Sequence, residues 1–174
     1  NRDVGTMLCS DNKEAILEGQ NVLNDNLLGA SLLQSEIAVL HMWDTYHKSI
    51  DLNKLFKKIY EVSGNYRIRI AIENIPISDK KLTQEKAWEF LNDVMPPEYG
   101  FTMDLNWCSL YNNFAELKKF RDKILNVHVQ GYLSLSGENN YTLLPRVGNL
   151  DIINSLSELC KSGYDGYITL EMNR

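Results

Sequence analysis

Apolar positions along this chain alternate between a helical spacing and short unbroken runs. Asp11 and Glu14 stand three residues apart, as in a capping box, and predict the start of a first helix. The apolar face of that helix is formed by Ile16, Leu23, Leu27 and Ala30. Residues 36–41 then form an apolar run that ends on a histidine, which predicts the first strand.

The same alternation of helix and strand recurs between residues 49 and 73. Ser49 is the predicted cap of a second helix, and Gly64 is its predicted end. The apolar face of this helix consists of Leu52, Leu55, Phe56, Ile59 and Val62. The segment from Arg67 to Glu73 is predicted to be the second strand, and it also ends on a polar side chain.

The rest of the chain continues this alternation. In order, it is predicted to contain a helix over 83–94, a strand over 100–104, a helix over 114–121, a strand over 124–130, a polar loop over 131–145, a helix over 150–161 and a strand over 167–171. Pro96 and Pro97 stop the first of these helices, and Gly163 stops the last.

Strands that alternate with helices predict right-handed βαβ units and a parallel sheet, hence an α/β fold. A doubly wound open sheet uses five strands comfortably, whereas a closed (β/α)8 barrel needs eight strands and about 250 residues. The length of 174 residues alone favours the open sheet. No linker or low-complexity stretch divides the chain, so residues 1–174 are predicted to form a single domain.

The composition excludes several classes of protein. A net charge of −5, from 23 acidic and 18 basic residues, argues against a nucleic-acid-binding surface. No apolar run reaches the roughly 18 residues of a membrane span, so no membrane partner is expected. The three cysteines Cys9, Cys108 and Cys160 are widely spaced and form no Cys-x-x-Cys pair. They predict reduced thiols and therefore a cytoplasmic protein.

Every predicted strand ends on a side chain that can bind a metal or transfer a proton. These strand ends are His41, Glu73, Asp104, His128 and Glu171. Ligands bind at the carboxyl ends of parallel strands in both competing architectures. Carboxylates and imidazole together suit a divalent cation, with Mn²⁺ as the first expectation and Mg²⁺, Co²⁺ or Zn²⁺ as alternatives. Without a cation, converging carboxylates would repel one another.

Each of these residues also has a purely structural interpretation. His41 alone could be a hydrogen-bonded structural histidine, and Glu73 or Glu171 alone could be a salt-bridged residue at a strand end. His128 stands between Val127 and Val129, so it could be a hydrogen-bonded core residue. Only the coincidence at five strand ends favours a metal site.

Short motifs at the strand ends resemble those of the xylose isomerase-like TIM-barrel superfamily, which contains sugar-phosphate isomerases and epimerases, ketose epimerases and endonuclease IV. These motifs are Val39-Leu40-His41, Ile72-Glu73-Asn74 with Pro76, Met103-Asp104, Val127-His128-Val129, the series Pro145, Gly148 and Asp151, and Gly163-Tyr164-Asp165-Gly166 before the strand that ends at Glu171. The resemblance extends from about Ser31 to the end of the chain.

The resemblance implies an incomplete (β/α)8 TIM barrel of about five parallel strands, the C-terminal part of the barrel, with the first strands and the last helix missing. Five of eight strands would leave unpaired strand edges and an exposed apolar interior. We therefore expect either a longer protein or a second copy of the chain, as a homo-oligomer, to cover the open side.

The resemblance also implies an activity and a set of site residues. Glu73, Asp104, His128 and Glu171 would be the metal ligands, and the two glutamates would also be the catalytic acid–base pair. The expected activity is a metal-dependent isomerisation or epimerisation of a sugar or sugar phosphate. The residues expected to contact this substrate are His41, Trp43, Trp107, Asn74 and Arg146.

Three departures from the family pattern keep other functions open. Trp107 occupies the position of a common family histidine, Gln130 replaces an aspartate, and Trp43 replaces a small residue. Trp43 could stack on a sugar or be a core aromatic. The departures keep open a non-catalytic protein that binds a sugar or a protein partner. An apurinic-site endonuclease is disfavoured, because three histidines are too few for its zinc cluster and the net charge is −5.

Overall fold

The computed structural model describes residues 2–135, 138–142 and 151–171, in two compact units, Asn1–Gly100 and Phe101–Arg174. We call these the N-terminal and the C-terminal unit. The prediction of one domain over 1–174 is not tested by this division and stays a prediction. Among the described residues, no helix combines the length and apolar composition that a membrane crossing requires.

Four helices and two strands form the N-terminal unit. They are, in chain order, α1 (Arg2–Cys9), α2 (Lys13–Leu32), β1 (Ile37–Leu40), α3 (Leu52–Ser63), β2 (Arg69–Glu73) and α4 (Gln84–Val94). The caps of α2, α3 and α4 are Asn12, Asp51 and Thr83, whose side-chain oxygens each accept a hydrogen bond from a first-turn backbone amide. The helices therefore begin where the sequence offers a short polar side chain.

Strands β1 and β2 are paired in parallel. Their register aligns Ile37 with Arg69 and Leu40 with Ile72. The next residue on each strand, His41 and Glu73, is the predicted ligand-binding strand end. Because paired parallel strands advance together, this register carries both side chains to the same edge of the pair.

The C-terminal unit contains the other three parallel strands, a hairpin and several short helices. Its elements are β3 (Gly100–Asp104, which begins at the unit boundary), α5 (Leu105–Tyr111), α6 (Phe114–Leu117), a 3₁₀ helix (Lys118–Lys123), β4 (Ile124–Val129), β5 (Gly131–Leu135), β6 (Glu138–Thr142), α7 (Ile152–Lys161) and β7 (Tyr167–Leu170). Strand β4 pairs in parallel with both β3 and β7, whereas β5 and β6 pair with each other.

All five parallel strands predicted from the sequence are confirmed, and their ends differ from the predictions by no more than two residues. The predicted end of α7 is also confirmed, since Gly163 has a φ of +97° that suits glycine. Two caps are wrong: the cap of α3 is Asp51 rather than Ser49, and that of α2 is Asn12 rather than Asp11. In both cases the true cap lies nearer the first helical turn, where its oxygen reaches the free amides.

Two helices and a hairpin of the described structure are absent from the sequence prediction. Helices α1 and α5 were not predicted, because each has fewer than nine residues and too few turns for a clear period. The predicted polar loop over 131–145 is wrong for its described part, which forms the antiparallel hairpin of β5 and β6. The sequence Glu-Asn-Asn-Tyr-Thr of β6 has weak strand propensity, and backbone pairing rather than side-chain pattern defines it.

Gly166 lies where the chain enters β7, and we predict that Gly166→Ala destabilises the C-terminal unit. A Cβ atom at this position would lie 2.7 Å from the Tyr164 ring and 2.8 Å from the carbonyl oxygen of Leu125. The Tyr164 hydroxyl already donates to the carbonyl of Tyr167 at 2.6 Å, so the ring is not free to move. We expect a loss of about 1–3 kcal/mol of unfolding free energy in urea titrations.

The matched control for this prediction is Gly29→Ala in α2. An added Cβ at Gly29 meets no atom within 4 Å, and alanine favours a helix. This variant should be as stable as the parent or more so. Equal stability of the two variants would contradict the packing argument.

Candidate functional site

His41 and Glu73 lie together at the ends of β1 and β2. The His41 Nε2 atom is 3.1 Å from the Glu73 Oε2 atom. The Glu73 side chain is 3% exposed and that of His41 is 27% exposed. A nearly buried carboxylate is therefore held by an imidazole that solvent, and hence a ligand, can reach.

The backbone that follows Glu73 is held by the side chain of Gln84, the first residue of α4. Its Nε2 atom donates to the carbonyl oxygens of Asn74 and Ile75. Gln84 is 3% exposed and Asn74 is fully buried. The two hydrogen bonds fix the direction in which the chain leaves β2, and thus the position of Glu73. Gln84 could not be identified from the sequence, because glutamine near a helix start gives no distinctive signal.

The loops after β1 and β2 are tied to each other. The Trp43 Nε1 atom donates to the carbonyl oxygen of Pro76 at 3.2 Å. The Asp79 carboxylate accepts from the backbone amide of Ile50 at 3.0 Å and from that of Lys81 at 2.9 Å. These bonds connect the segment after His41 with the segment after Glu73, and so restrict the relative motion of the two side chains.

We predict that Asp79→Asn weakens this connection in a pH-dependent way. The hydrogen bonds from the Lys81 and Ile50 amides lower the pKa of the Asp79 carboxyl. Because the folded-state pKa lies below the unfolded value of about 3.9, the stabilisation is fully present above that value and is lost as the pH falls through the folded pKa. We expect Asp79→Asn to cost about 1–2 kcal/mol near neutral pH and progressively less towards pH 2.

Denaturant unfolding at several pH values between 2 and 7 measures this effect. Asp93→Asn, at an exposed position near the end of α4, is the matched control and should show no such pH-dependent difference. A difference between Asp79→Asn and the parent that is constant over this pH range would contradict the role of the carboxylate.

In the C-terminal unit, Asp104 combines two functions. It ends β3 and caps α5, with its Oδ1 atom accepting from the backbone amides of Asn106 at 2.7 Å and Trp107 at 3.4 Å. Asp104 is only 2% exposed. The amides at the start of α5 hold this buried carboxylate in place.

His128 lies between Asp104 and Glu171 in the order of the strands. The register of β3 and β4 pairs the Cα atoms of Asp104 and His128. The His128 Nδ1 atom is 3.7 Å from the Glu171 Oε2 atom, and the two side chains are 12% and 45% exposed. The backbone amide of Glu171 donates to the carbonyl of Val129, which continues the pairing of β4 and β7. Three predicted ligands thus lie at one end of this unit's strands.

A second row of polar residues lies two positions before these ligands on the strands. Thr102 is aligned with Asn126, and the Thr169 hydroxyl donates to the Asn126 Oδ1 atom at 2.9 Å. Side chains two residues apart on a strand share a face. The face that carries Asp104 and His128 is therefore polar over two layers.

The predicted substrate-binding residues have different surroundings. Trp43 is 1% exposed, with its indole nitrogen bonded to the Pro76 carbonyl, and Trp107 is half-buried beside Asp104. Their contacts with a substrate, like those of His41 and Asn74, stay predictions. Arg146 lies outside the described residues.

The donor set fits a divalent cation. Within the C-terminal unit, a carboxylate from Asp104, an imidazole from His128 and a carboxylate from Glu171 converge at the strand ends. Within the N-terminal unit, the Glu73 carboxylate and the His41 imidazole are of the same chemical types. Mixed oxygen and nitrogen donors suit Mn²⁺, Co²⁺ or Zn²⁺, and sites rich in carboxylates also suit Mg²⁺.

Comparisons with known proteins bear on the fold of the chain. The family described as xylose isomerase-like TIM barrel matches residues 29–174. An uncharacterised protein of Methanocaldococcus jannaschii is 30% identical over 164 residues, which cover 86% of this chain and 55% of that protein.

Solved structures share the fold at low sequence identity. A xylose isomerase domain protein from Planctomyces limnophilus has a TM-score of 0.67 and 19% identity, over 90% of this chain and 59% of that chain. A D-allulose 3-epimerase from Methylomonas sp., in complex with D-allulose, has a TM-score of 0.67 and 15% identity, over 97% of this chain and 59% of that chain. The chain thus spans between half and two thirds of the length of these relatives.

Proposed function

This chain belongs to the xylose isomerase-like TIM-barrel family, and we propose that it is part of a divalent-metal-dependent isomerase or epimerase acting on a sugar or sugar phosphate. Its five parallel strands, two in the N-terminal and three in the C-terminal unit, are those of a partial TIM barrel. In such barrels the catalytic residues stand at the carboxyl ends of the strands.

One observation carries the proposal: every parallel strand of both units has a carboxylate or an imidazole within one residue of its last position. His41 and Glu73 pair at 3.1 Å, and Asp104 is aligned with His128. Purely structural polar residues would have no reason to stand at or next to the end of every parallel strand. Ligand-binding side chains would, because strand ends of one barrel face a common pocket.

We propose that the group of Glu73, Asp104 and His128, together with Glu171, holds one divalent cation, with Mn²⁺ expected first. When bound, the cation would polarise a carbonyl or hydroxyl oxygen of the sugar. The burial of Glu73 and Asp104, at 3% and 2% exposure, favours a bound cation because two nearly buried carboxylates need a compensating charge.

Proton transfer is assigned to the two glutamates. We propose that Glu73 and Glu171 approach a sugar carbon from opposite sides, so that one removes a proton and the other returns one. His41 is placed to contact a substrate hydroxyl, since it is partly exposed and its Nε2 atom adjoins Glu73. The difference in exposure between Glu73 and Glu171, 3% against 45%, gives the two carboxylates different environments, as acid–base pairs require.

Other parts of the proposal concern the setting of the reaction. The three cysteines are free thiols in this structure, which is consistent with a cytoplasmic protein. The strand β7 exposes Tyr167, Ile168 and Leu170 by about half or more of their surfaces. We propose that further chain or a second copy covers such apolar surface.

The experiment is a turnover assay of the full-length protein with Mn²⁺ on a panel of pentoses, hexoses and their phosphates, followed by sugar analysis. We expect conversion of at least one sugar into an isomer or epimer, with loss of activity after chelation. Sugar binding without conversion of any sugar would contradict the catalytic proposal and favour a non-catalytic sugar-binding protein.

A further inference from the structure

Two buried carboxamides in the C-terminal unit have polar atoms that no hydrogen bond satisfies. Asn106 is 1% exposed, and neither its Nδ2 nor its Oδ1 atom has a partner among the residues that the structure describes. Gln130 is 5% exposed, and its Nε2 atom likewise has no partner in that part of the chain. Buried amides are normally hydrogen-bonded, because an unpaired one costs folding free energy.

Both residues follow proposed metal ligands by two positions. Asp104 and His128 are aligned in the register of β3 and β4, and Asn106 and Gln130 stand two residues beyond them. The side chains of Gln130 and His128 are on the same face of the strand, because residues two apart on an extended chain share a face. Asn106 lies in the first turn of α5, where its backbone amide donates to Asp104 at 2.7 Å. Two unsatisfied carboxamides therefore lie at the same strand ends as the ligands.

The unpaired atoms restrict the chemistry of the group that could satisfy them. Asn106 presents both a donor and an acceptor, and Gln130 presents a donor. A phosphate or carboxylate only accepts hydrogen bonds, so it would leave the Asn106 oxygen unpaired beside a negative charge. An ammonium group only donates and would leave both amide nitrogens unpaired. A hydroxyl group both donates and accepts, so hydroxyl groups can pair with all three of the unpaired amide atoms.

We propose that Asn106 and Gln130 bind hydroxyl groups of a neutral, unphosphorylated part of the sugar. This inference deepens the proposed function and rests on it, because it assigns a substrate class to the same site. The two carboxamides orient the sugar at the ends of β3 and β4, beside Asp104 and His128. A phosphate group, if the sugar carries one, is directed away from these residues. Water offers the same hydrogen bonds, so the experiment separates water from sugar.

The test uses the variants Asn106→Leu and Gln130→Met, which keep the side-chain size and remove the amide. The full-length proteins are titrated calorimetrically with neutral ketohexoses, including D-allulose, and aldopentoses, with and without Mn²⁺. We expect each variant to raise the Kd of the best-binding sugar at least about tenfold. We also expect the thermal midpoint of each variant to be unchanged or higher, because an apolar group replaces an unpaired buried amide.

Asn126→Leu is the matched control for stability. Asn126 is also buried, at 4% exposure, but its Oδ1 atom accepts from the Thr169 hydroxyl. This variant should lower the thermal midpoint, because it leaves that hydroxyl without its acceptor. A midpoint that falls equally in Asn106→Leu or Gln130→Met would show that the amide has a structural partner, and would overturn the inference for that residue.

Two further results would overturn the proposal. One is unchanged sugar affinity in both variants, which would mean that water or another protein group satisfies the amides. The other is the absence of binding of every neutral sugar to the parent protein. Failure of the parent to bind Mn²⁺ instead contradicts the proposed metal function, and the titrations without Mn²⁺ still test the amides. The two proposals can therefore fail separately.

Discussion

Glu73→Gln is expected to reduce turnover of the best substrate by about 10³-fold or more. Glutamine has the same shape as glutamate, but its amide cannot take up a proton at neutral pH. A positioned acid or base contributes about 10²–10⁴-fold to a rate, and Glu73 is proposed to bind the cation as well. Steady-state rates on the sugar identified by the panel assay, at saturating Mn²⁺, measure the effect.

The stability of Glu73→Gln shows whether its loss of activity comes from the missing carboxylate or from a loss of folded protein. The thermal midpoint of Glu73→Gln should stay close to that of the parent, because glutamine keeps the size of the side chain and can pair with the His41 Nε2 atom as donor or acceptor. The control is Glu36→Gln, at a glutamate that is 69% exposed and lies 3.9 Å from Arg69 in a loose ion pair. This control should keep full activity. Wild-type activity of Glu73→Gln would remove Glu73 from the proposed mechanism.

His128→Asn is expected to weaken Mn²⁺ binding by more than about 100-fold. Loss of a group that merely supports a metal ligand costs about 10- to 100-fold in affinity, and loss of a ligand should exceed this. Calorimetric titration of the chelated protein with Mn²⁺ measures the affinity.

The control for this prediction is His47→Asn, on the loop after β1. His47 is half-buried, and its backbone amide donates to the carbonyl oxygen of Asp44. It stands at no strand end, so its replacement should leave the Mn²⁺ affinity unchanged. An equal loss in both variants, or in neither, would contradict the assignment of His128 as a ligand.

The sequence predicted the strands well, because each is an apolar run that ends on a polar residue. The prediction for β3, Gly100 to Asp104, is confirmed without a shift of either end. A parallel strand is covered on both faces, so the apolar run is nearly continuous and has clear ends. Those same ends carry the candidate site, which is why its residues could be named from the sequence.

What the sequence did not reveal depends on contacts between distant segments. Helix α1 packs so closely that a Cβ at Gly5 would lie 2.5 Å from the carbonyl oxygen of Trp43. Trp43 itself could not be classified as exposed or buried from the sequence. In the structure its indole nitrogen donates a hydrogen bond to the carbonyl oxygen of Pro76. Such contacts link residues more than thirty positions apart, and no local pattern encodes them.

The candidate site shows the same limit. Neither Gln84 nor Asn106 could be singled out from the sequence, since neither residue has a special spacing. Gln84 became a candidate because its amide holds the carbonyls after Glu73, and Asn106 because its buried amide has no partner in the described part of the chain. Hydrogen-bond satisfaction is a property of the folded chain, so only a structure can reveal it.

The length of the chain could not decide between an open sheet and a barrel. A length of 174 residues favoured an open sheet, whereas the family match over residues 29–174 assigns the TIM barrel. Length is a poor criterion for this chain, because it spans only 59% of the solved structures that it resembles. The strand-end motifs were the better guide, because they reflect the site rather than the size of the fold.

The central claim is that Glu73, Asp104, His128 and Glu171 bind one divalent cation. Anomalous diffraction at the manganese edge, from crystals of the full-length protein grown with Mn²⁺, tests it most directly. The account predicts one strong peak within about 2.0–2.3 Å of three carboxylate oxygens and one imidazole nitrogen from these four residues. A fully ordered structure with no peak there, or with its peak on other side chains, would contradict it.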